Sequence, residues 1–405
     1  MTVDDLKLNQ IQVIGSHNSY RINTTIDMHN LIASFQPDLA QDLDYGHPLL
    51  ETQFSQYGIR QIEIDVYHDP EGGLFYNQRG NLFIGMPVAS GIEELLSPGL
   101  KVLHFPDIDY RTHYYTFIDA LHAVKNWSDQ NPNHIPIFIL IEAKEESLSS
   151  LYPSLSGFTQ PLTFDNTALD AIDAEIRSVF GENLDKVITP DDIRGDNESL
   201  ESVILNGGWP TIGESRGKIY FGLDNGGATR DAYVSGHPAL AGRILFTASD
   251  PGTSEAAFLK LNTPTESISD FVSQGYIVRT RADADTEEAR SGDTGPRDLA
   301  LSSGAQFVST DYYHPDPRNE FDPGWTDYSV RLPGEFFARV NPVNGPPELS
   351  GNELDLINFD MNIDFILEEP VCDEGFVEIG DDCYWEEDIG VLQQFIDNSA
   401  ETINM

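Results

Sequence analysis

The run Gly15-Ser16-His17-Asn18-Ser19-Tyr20 sets an imidazole and an amide side by side in a short polar turn, directly after an apolar stretch. Further along, Glu63 and Asp65 stand two residues apart in IRQIEIDV. His104 lies near the end of LKVLHF, and Glu142 followed by Lys144 closes IPIFILI. Residues two apart on a strand share a face, so the Glu63 and Asp65 carboxylates point the same way. With Asn18 and Glu142 they make an all-oxygen donor set of three carboxylates and one amide carbonyl. Hard oxygen donors select calcium or magnesium over zinc, and a set spread over three strands suits the larger, less rigid sphere of calcium. His17 and His104 then remain for proton transfer. A general base, a general acid and a divalent cation are what phosphodiester cleavage requires. Any one of these residues alone would be an ordinary core or rim residue. Four apolar runs in series, each ending in an ionisable or metal-binding group, form a specific pattern.

Such groups need a scaffold that brings successive strand ends to one rim. Eight short runs rich in β-branched and aromatic residues occur at 11–15, 59–66, 100–105, 135–141, 218–223, 243–246, 275–279 and 305–310. Most are continuously apolar, as expected of parallel strands covered on both faces. Between them, 116–127 and 167–180 carry apolar residues at helical spacing. Thr263-Pro264-Thr265-Glu266 has the cap, proline and acidic residue of a helix start. The alternation predicts an α/β fold, a (β/α)8 TIM barrel irregular in places, with its reacting groups at the C-terminal ends of the strands. An open doubly wound sheet fits less well, because no glycine-rich phosphate turn follows the first strand. The barrel is drawn over 1–330. Residues 331–405 form a turn-rich acidic C-terminal extension holding Cys372 and Cys383, the two cysteines of the chain. A pair this local, without a third Cys or His beside it, reads as a disulfide staple and favours export.

Composition sets further bounds. With 67 acidic and 23 basic residues the net charge is −44, which disfavours a nucleic-acid partner and docking by charge onto an anionic membrane. No apolar stretch approaches the length of a membrane span, so membrane contact is at most peripheral. The opening MTVDDLKLNQ lacks the layout of a signal peptide. A secreted or extracytoplasmic protein whose leader lies outside this sequence is the expectation, with a cytoplasmic setting left open. No obligate protein partner is indicated.

The segments GSHNSY, RQIEIDV, VLHFPDIDYR and PIFILIE together resemble the catalytic region of calcium-dependent phosphatidylinositol-specific phospholipases C, most of all the compact bacterial type. GYIVRTRADADT and GAQFVSTDYY extend the resemblance to about residue 315. It implies a phosphoric diester hydrolase that cleaves a phosphoinositide or glycerophosphoinositide by intramolecular hydroxyl attack. The products would be a cyclic inositol phosphate and diacylglycerol or glycerol. His17 would contact the phosphate, and Asn18, Glu63, Asp65 and Glu142 would hold Ca2+. Glu63 would also draw the proton from the attacking hydroxyl, and His104 would protonate the leaving oxygen. Lys144 and Arg281 occupy positions suited to gripping phosphate or inositol hydroxyls.

Several points stay open in the sequence. His68, three residues after Asp65, competes with His104 for the second-histidine role. Asp107 and Asp109 are candidates either to orient His104 or to cap the next turn, and the acidic run Asp283, Asp285, Glu287 and Glu288 reads as a solvated loop. A glycerophosphodiester phosphodiesterase shares the Glu-x-Asp pair, although its first strand typically reads His-Arg-Gly rather than His-Asn-Ser. A calcium-binding barrel without turnover is the reading from outside enzymology.

Overall fold

A computed structural model describes residues 2–151, 157–334, 336–349 and 354, together with the backbone of 376–379 and 382–385. The chain divides into two compact units, Met1–Ile357 and Asn358–Met405. In the second, strands Phe376–Ile379 and Asp382–Trp385 pair as an antiparallel hairpin. Cys372 lies outside the described residues, as does the side chain of Cys383, and the staple expected between them lies there too.

The first unit is built on eight parallel strands. They are β1 (Ile11–Ser16), β2 (Gln61–Tyr67), β4 (Ile137–Ala143), β6 (Ile219–Leu223), β7 (Leu245–Thr247), β8 (Phe258–Lys260), β9 (Ile277–Arg281) and β10 (Phe307–Thr310). Pairing runs β7-β6-β4-β2-β1-β10-β9-β8. A single parallel bridge, Ala248 to Phe258, links β7 to β8 and closes the ring. The seam between β1 and β2 is equally thin, one pair at Gly15 and Gln61. The result is an irregular (β/α)8 barrel.

Three short strands complete the sheet: β3 (Lys101–Val102), β5 (Val187–Ile188) and β11 (Ala338–Val340). β3 corrects one expectation. The run 100–105 is no parallel barrel strand, because Lys101 and Val102 pair antiparallel with Tyr67 and Val66 at the end of β2. The missing barrel strand is β8, whose three residues, Phe258–Lys260, are too short a run to read as a strand. The compact unit also continues past 330, since β11 pairs antiparallel with β1. The helix expected from Thr263 starts later, at Ile268.

Alternation within the strands explains what fills the barrel and what lines its mouth. Phe138 stacks on Phe307 (centroids 4.7 Å apart, planes 3° apart) and meets Tyr220 and Phe258 at 4.9 and 5.0 Å. These rings come from β4, β10, β6 and β8, so they meet across the barrel axis. Side chains two and four residues further on share that inward face and stand higher toward the C-terminal rim. Val13 and Gly15 lead to His17, and Gln61 leads to Glu63 and Asp65. Phe138 and Leu140 lead to Glu142, Tyr220 and Gly222 to Asp224, and Phe258 to Lys260. Ile277 leads to Arg279 and Arg281, and Phe307 and Ser309 to Asp311. Gly15 is needed where it is, because a Cβ there would lie 1.9 Å from the Gln61 side chain.

Outside the barrel, helices Phe117–Gln130 and Asn166–Phe180 bury the apolar faces that their spacing predicts. Each starts with a side-chain cap, from Thr116 and Asp165 respectively. Glu175 on the second helix is mostly buried, and its Oε1 accepts the Leu100 N–H at 2.8 Å. Burial pushes its carboxyl up to about 7.

Candidate active site and calcium centre

The turn after β1 is tied to β2 by reciprocal bonds. Ser19 N–H donates to the Glu63 carbonyl at 3.0 Å, and Glu63 N–H donates to Ser19 Oγ at 2.9 Å. Ser16 Oγ and the Gln53 amide brace the same turn from below. Asn18 adopts φ +47°, a left-handed conformation that Asn tolerates better than most residues. Its Nδ2 donates to Tyr45 Oη at 2.8 Å, which leaves Oδ1 as the amide atom available to a cation.

Glu63, Asp65 and Glu142 can each offer an oxygen within 4.8 Å of the others. Glu63 and Asp65 are buried, and Glu142 is half-buried. Burial raises all three carboxyls, with Glu63 reaching about 7. Lys144 Nζ lies 3.1 Å from Asp65 Oδ2 and 3.7 Å from Glu142 Oε2. Apart from that ion pair, neither buried oxygen of Asp65 has a hydrogen-bond donor among the described residues. Hard oxygen ligands crowded together, with Asp65 Oδ1 lacking a hydrogen-bond donor among the described residues, fit a calcium ion.

Two histidines flank this group, each held by an aspartate at Nδ1. His17 Nδ1 lies 3.0 Å from Asp311 Oδ1, and its Nε2 lies 3.7 Å from Glu63 Oε1 and 3.5 Å from Arg281 Nη1. Burial, helped by Arg281, drives His17 down to about 3. Burial alone would raise Asp311, but His17, His47 and Arg281 hold it well below the ordinary carboxylate range. His104 Nδ1 lies 2.7 Å from Asp109 Oδ2, and Arg21 grips the same carboxylate at 2.8 and 3.0 Å. Burial, then Lys144, pushes His104 down to about 4. Burial favours a neutral Asp109, yet Arg21 and His104 hold it at about 2. In both dyads Nδ1–H donates to a carboxylate, so the lone pair sits on Nε2.

Most of the residues expected from the sequence meet here. His104 does so from the loop after β3 instead of from a barrel strand end. His68 stands against Phe164, ring centroids 6.0 Å apart, and no contact among the described residues links it to the triad. Asp107 accepts from the backbone of Arg79 and Thr159, which leaves Asp109 as the partner of His104. Asp283 is buried and accepts the Asp311 N–H at 3.0 Å, so it does not belong to a solvated loop. Arg281 donates to Asp311 Oδ2 at 3.1 Å. Two further residues were not anticipated. Arg279 donates to Glu63 Oε2 at 2.5 Å, and Asp311 orients His17. Arg279 had a legible signal, since it shares the inward face of β9 with Arg281.

A family profile described as phosphoinositide phospholipase C, Ca2+-dependent, matches residues 6–342. The chain belongs to this phospholipase C family. It is therefore a calcium-dependent phosphoric diester hydrolase with a phosphoinositide-type lipid substrate. Solved structures similar to this phospholipase C include an apo calcium-dependent phosphoinositol-specific phospholipase C from Pseudomonas sp. It has 15% identity and a TM-score of 0.48, covering 84% of this chain and 96% of that one. Another is a Ca2+-dependent phosphatidylinositol-specific phospholipase C from Streptomyces antibioticus, with 16% identity and a TM-score of 0.45. That match covers 76% of this chain and 95% of that one. A search of curated proteins returned no match. Among the described residues, no helix of this phospholipase C is long and apolar enough to cross a membrane.

Proposed function

We propose that the chain cleaves phosphatidylinositol by attack of a ring hydroxyl on the adjacent phosphodiester, forming a cyclic inositol phosphate and releasing diacylglycerol. The observation that carries this reading is the carboxylate triad flanked by two aspartate-oriented histidines at the barrel mouth. Glu63, whose Oε1 lies 3.7 Å from His17 Nε2 beside the phosphate position, is placed to take the proton of the attacking hydroxyl. Arg279 fixes its carboxylate in place. His17 and Arg281 face the phosphate, and His104 returns a proton to the departing oxygen of the glycerol. A phosphodiester anion brought against these imidazoles favours their protonated forms, and Asp311 and Asp109 stabilise the resulting imidazolium ions. Lys144 adds a positive charge beside the phosphate. Calcium held by Asn18, Glu63, Asp65 and Glu142 would supply a Lewis acid that offsets the charge developing on phosphorus-bound oxygen.

The local cysteine pair in the acidic extension, together with a calcium requirement, supports a setting outside the cytoplasm. Incubation with phosphatidylinositol and with glycerophosphocholine, each with and without chelator, tests the function. Calcium-dependent turnover of the inositol lipid alone is expected. Turnover of glycerophosphocholine at a comparable rate would favour a glycerophosphodiester phosphodiesterase instead.

A further inference from the structure

The three carboxylate ligands of the calcium centre need no particular end turned toward the ion, because either oxygen of a carboxylate can face it. Asn18 is different. Its oxygen can bind a cation, whereas its NH2 end offers only donors and repels one. The two ends have nearly the same shape, and a half-turn about the terminal torsion exchanges them. Whatever faces the far end of the amide therefore decides how well Asn18 serves as a ligand.

That group is Tyr45, whose Oη accepts from Asn18 Nδ2 at 2.8 Å. Tyr45 lies on the segment between helices Pro37–Asp42 and Leu50–Ser55, 27 positions beyond Asn18. A segment without regular structure needs anchors to hold a hydroxyl in place, and Arg21 supplies them. Its fully buried guanidinium donates to the Leu43 carbonyl at 2.5 Å and to the Tyr45 carbonyl, and it lies 4.4 Å from the centre of the Tyr45 ring. The same guanidinium grips Asp109, the partner of His104. His47 ties down the far end of the segment. Its backbone N–H donates to the Arg21 carbonyl at 2.9 Å, and its Nε2 donates to the His17 carbonyl at 2.7 Å. The tyrosine is thereby wedged beside His17, with Oη 3.4 Å from Nδ1.

We propose that Tyr45 is a positioning residue for calcium. By accepting from Asn18 Nδ2 it holds the amide with Oδ1 toward the ion, and Arg21 holds Tyr45 in turn. The inference rests on the ligand set given above, and on Asn18 as a member of it. One buried arginine then serves both halves of the site, the cation ligand through Tyr45 and the second histidine through Asp109.

The test measures calcium affinity by calorimetry on the full chain without substrate, for wild type, Tyr45→Phe, Asn18→Gly and the double variant. Tyr45→Phe removes one oxygen and keeps the ring against Arg21. Glycine accepts φ +47° without strain and removes the amide. Tyr45→Phe should weaken calcium binding by about 10-fold or more, the cost of losing a group that orients a metal ligand. Asn18→Gly should weaken it at least as much. Adding Tyr45→Phe to Asn18→Gly should cost less than about 2-fold more, since no amide is left to orient. Asn18→Asp provides a rescue: its two oxygens are equivalent, so Tyr45→Phe should cost little in that background too. An unchanged affinity in Tyr45→Phe beside a weakened Asn18→Gly would overturn the proposal and leave the ligand set standing. An equal loss from Tyr45→Phe with and without the Asn18 amide would also overturn it. If Asn18→Gly lacks a cooperative melt, the Asn18→Asp background decides by the same comparison. If Asn18→Gly folds and binds calcium like wild type, Asn18 is no ligand, and the proposal falls with that reading. No turnover is read, so the result is independent of which phosphodiester is cleaved.

Discussion

Nδ1 of His17 lies 3.0 Å from Oδ1 of Asp311, a contact that joins the end of the first barrel strand to the end of the last. It fixes the imidazole as the Nδ1–H tautomer and directs Nε2 toward Glu63 and Arg281. Asp311→Asn keeps the shape but no longer stabilises a protonated His17. Its kcat should fall by on the order of 10²-fold with little change in melting temperature. His17→Ala should cost roughly 10²–10⁴-fold. Steady-state kinetics with a parallel thermal melt checks both, and a fully active Asp311→Asn would remove the dyad from the mechanism.

His104 and Glu63 are separable by leaving group. A substrate with a good leaving group, such as a nitrophenyl ester of inositol phosphate, needs no proton from His104. His104→Ala should therefore lose roughly 10²–10⁴-fold on phosphatidylinositol and recover most of that on the activated ester. Glu63→Gln should stay impaired on both, because attack and the cation site are still damaged. His68→Ala should be close to wild type. Equal losses for His104→Ala on both substrates would reassign that residue.

Calcium should be visible without catalysis. At a concentration about 100-fold above its dissociation constant, a ligand that binds only the folded state adds ~2.7 kcal/mol. A rise of several degrees in melting temperature is expected for wild type. Asp65→Asn should abolish most of that rise, and chelator should abolish wild-type turnover. Magnesium should support less activity than calcium. An unchanged melt in Asp65→Asn would take this carboxylate out of the ligand set.

Glu175 gives a pH prediction remote from the site. Its carboxyl is raised from 4.5 to about 7, so the folded state holds a proton that the unfolded state has lost between those values. That contribution is fully present below pH 4.5 and is lost as pH rises through about 7. Above pH 7 the ionised carboxylate costs on the order of 2–3 kcal/mol, which Glu175→Gln avoids while keeping the acceptor for Leu100 N–H. Melting temperature should rise in the variant at pH 8 and match wild type at pH 4.5. The opposite ordering would contradict the assignment.

How much was legible in the sequence follows from what each residue does locally. His17, Glu63, Asp65 and Glu142 were readable because each ends an apolar run long enough to be recognised as a strand. Residues 100–105 have the same appearance, yet composition does not show that Lys101 and Val102 turn back antiparallel along β2. β8 escaped notice because three residues carry almost no periodicity. Asp311 follows the last strand, where its pairing with His17 depends on barrel closure and spans 294 positions.

Phosphorus NMR of the products tests the central claim most directly. Phosphatidylinositol in neutral vesicles, with calcium, should give first the resonance of a cyclic inositol phosphate, appearing in step with released diacylglycerol. Its conversion to the acyclic monophosphate should follow more slowly, and chelator should suppress both signals. An acyclic phosphate formed from the outset, with no cyclic species even at the earliest times, would contradict intramolecular attack and the roles assigned to Glu63 and His104.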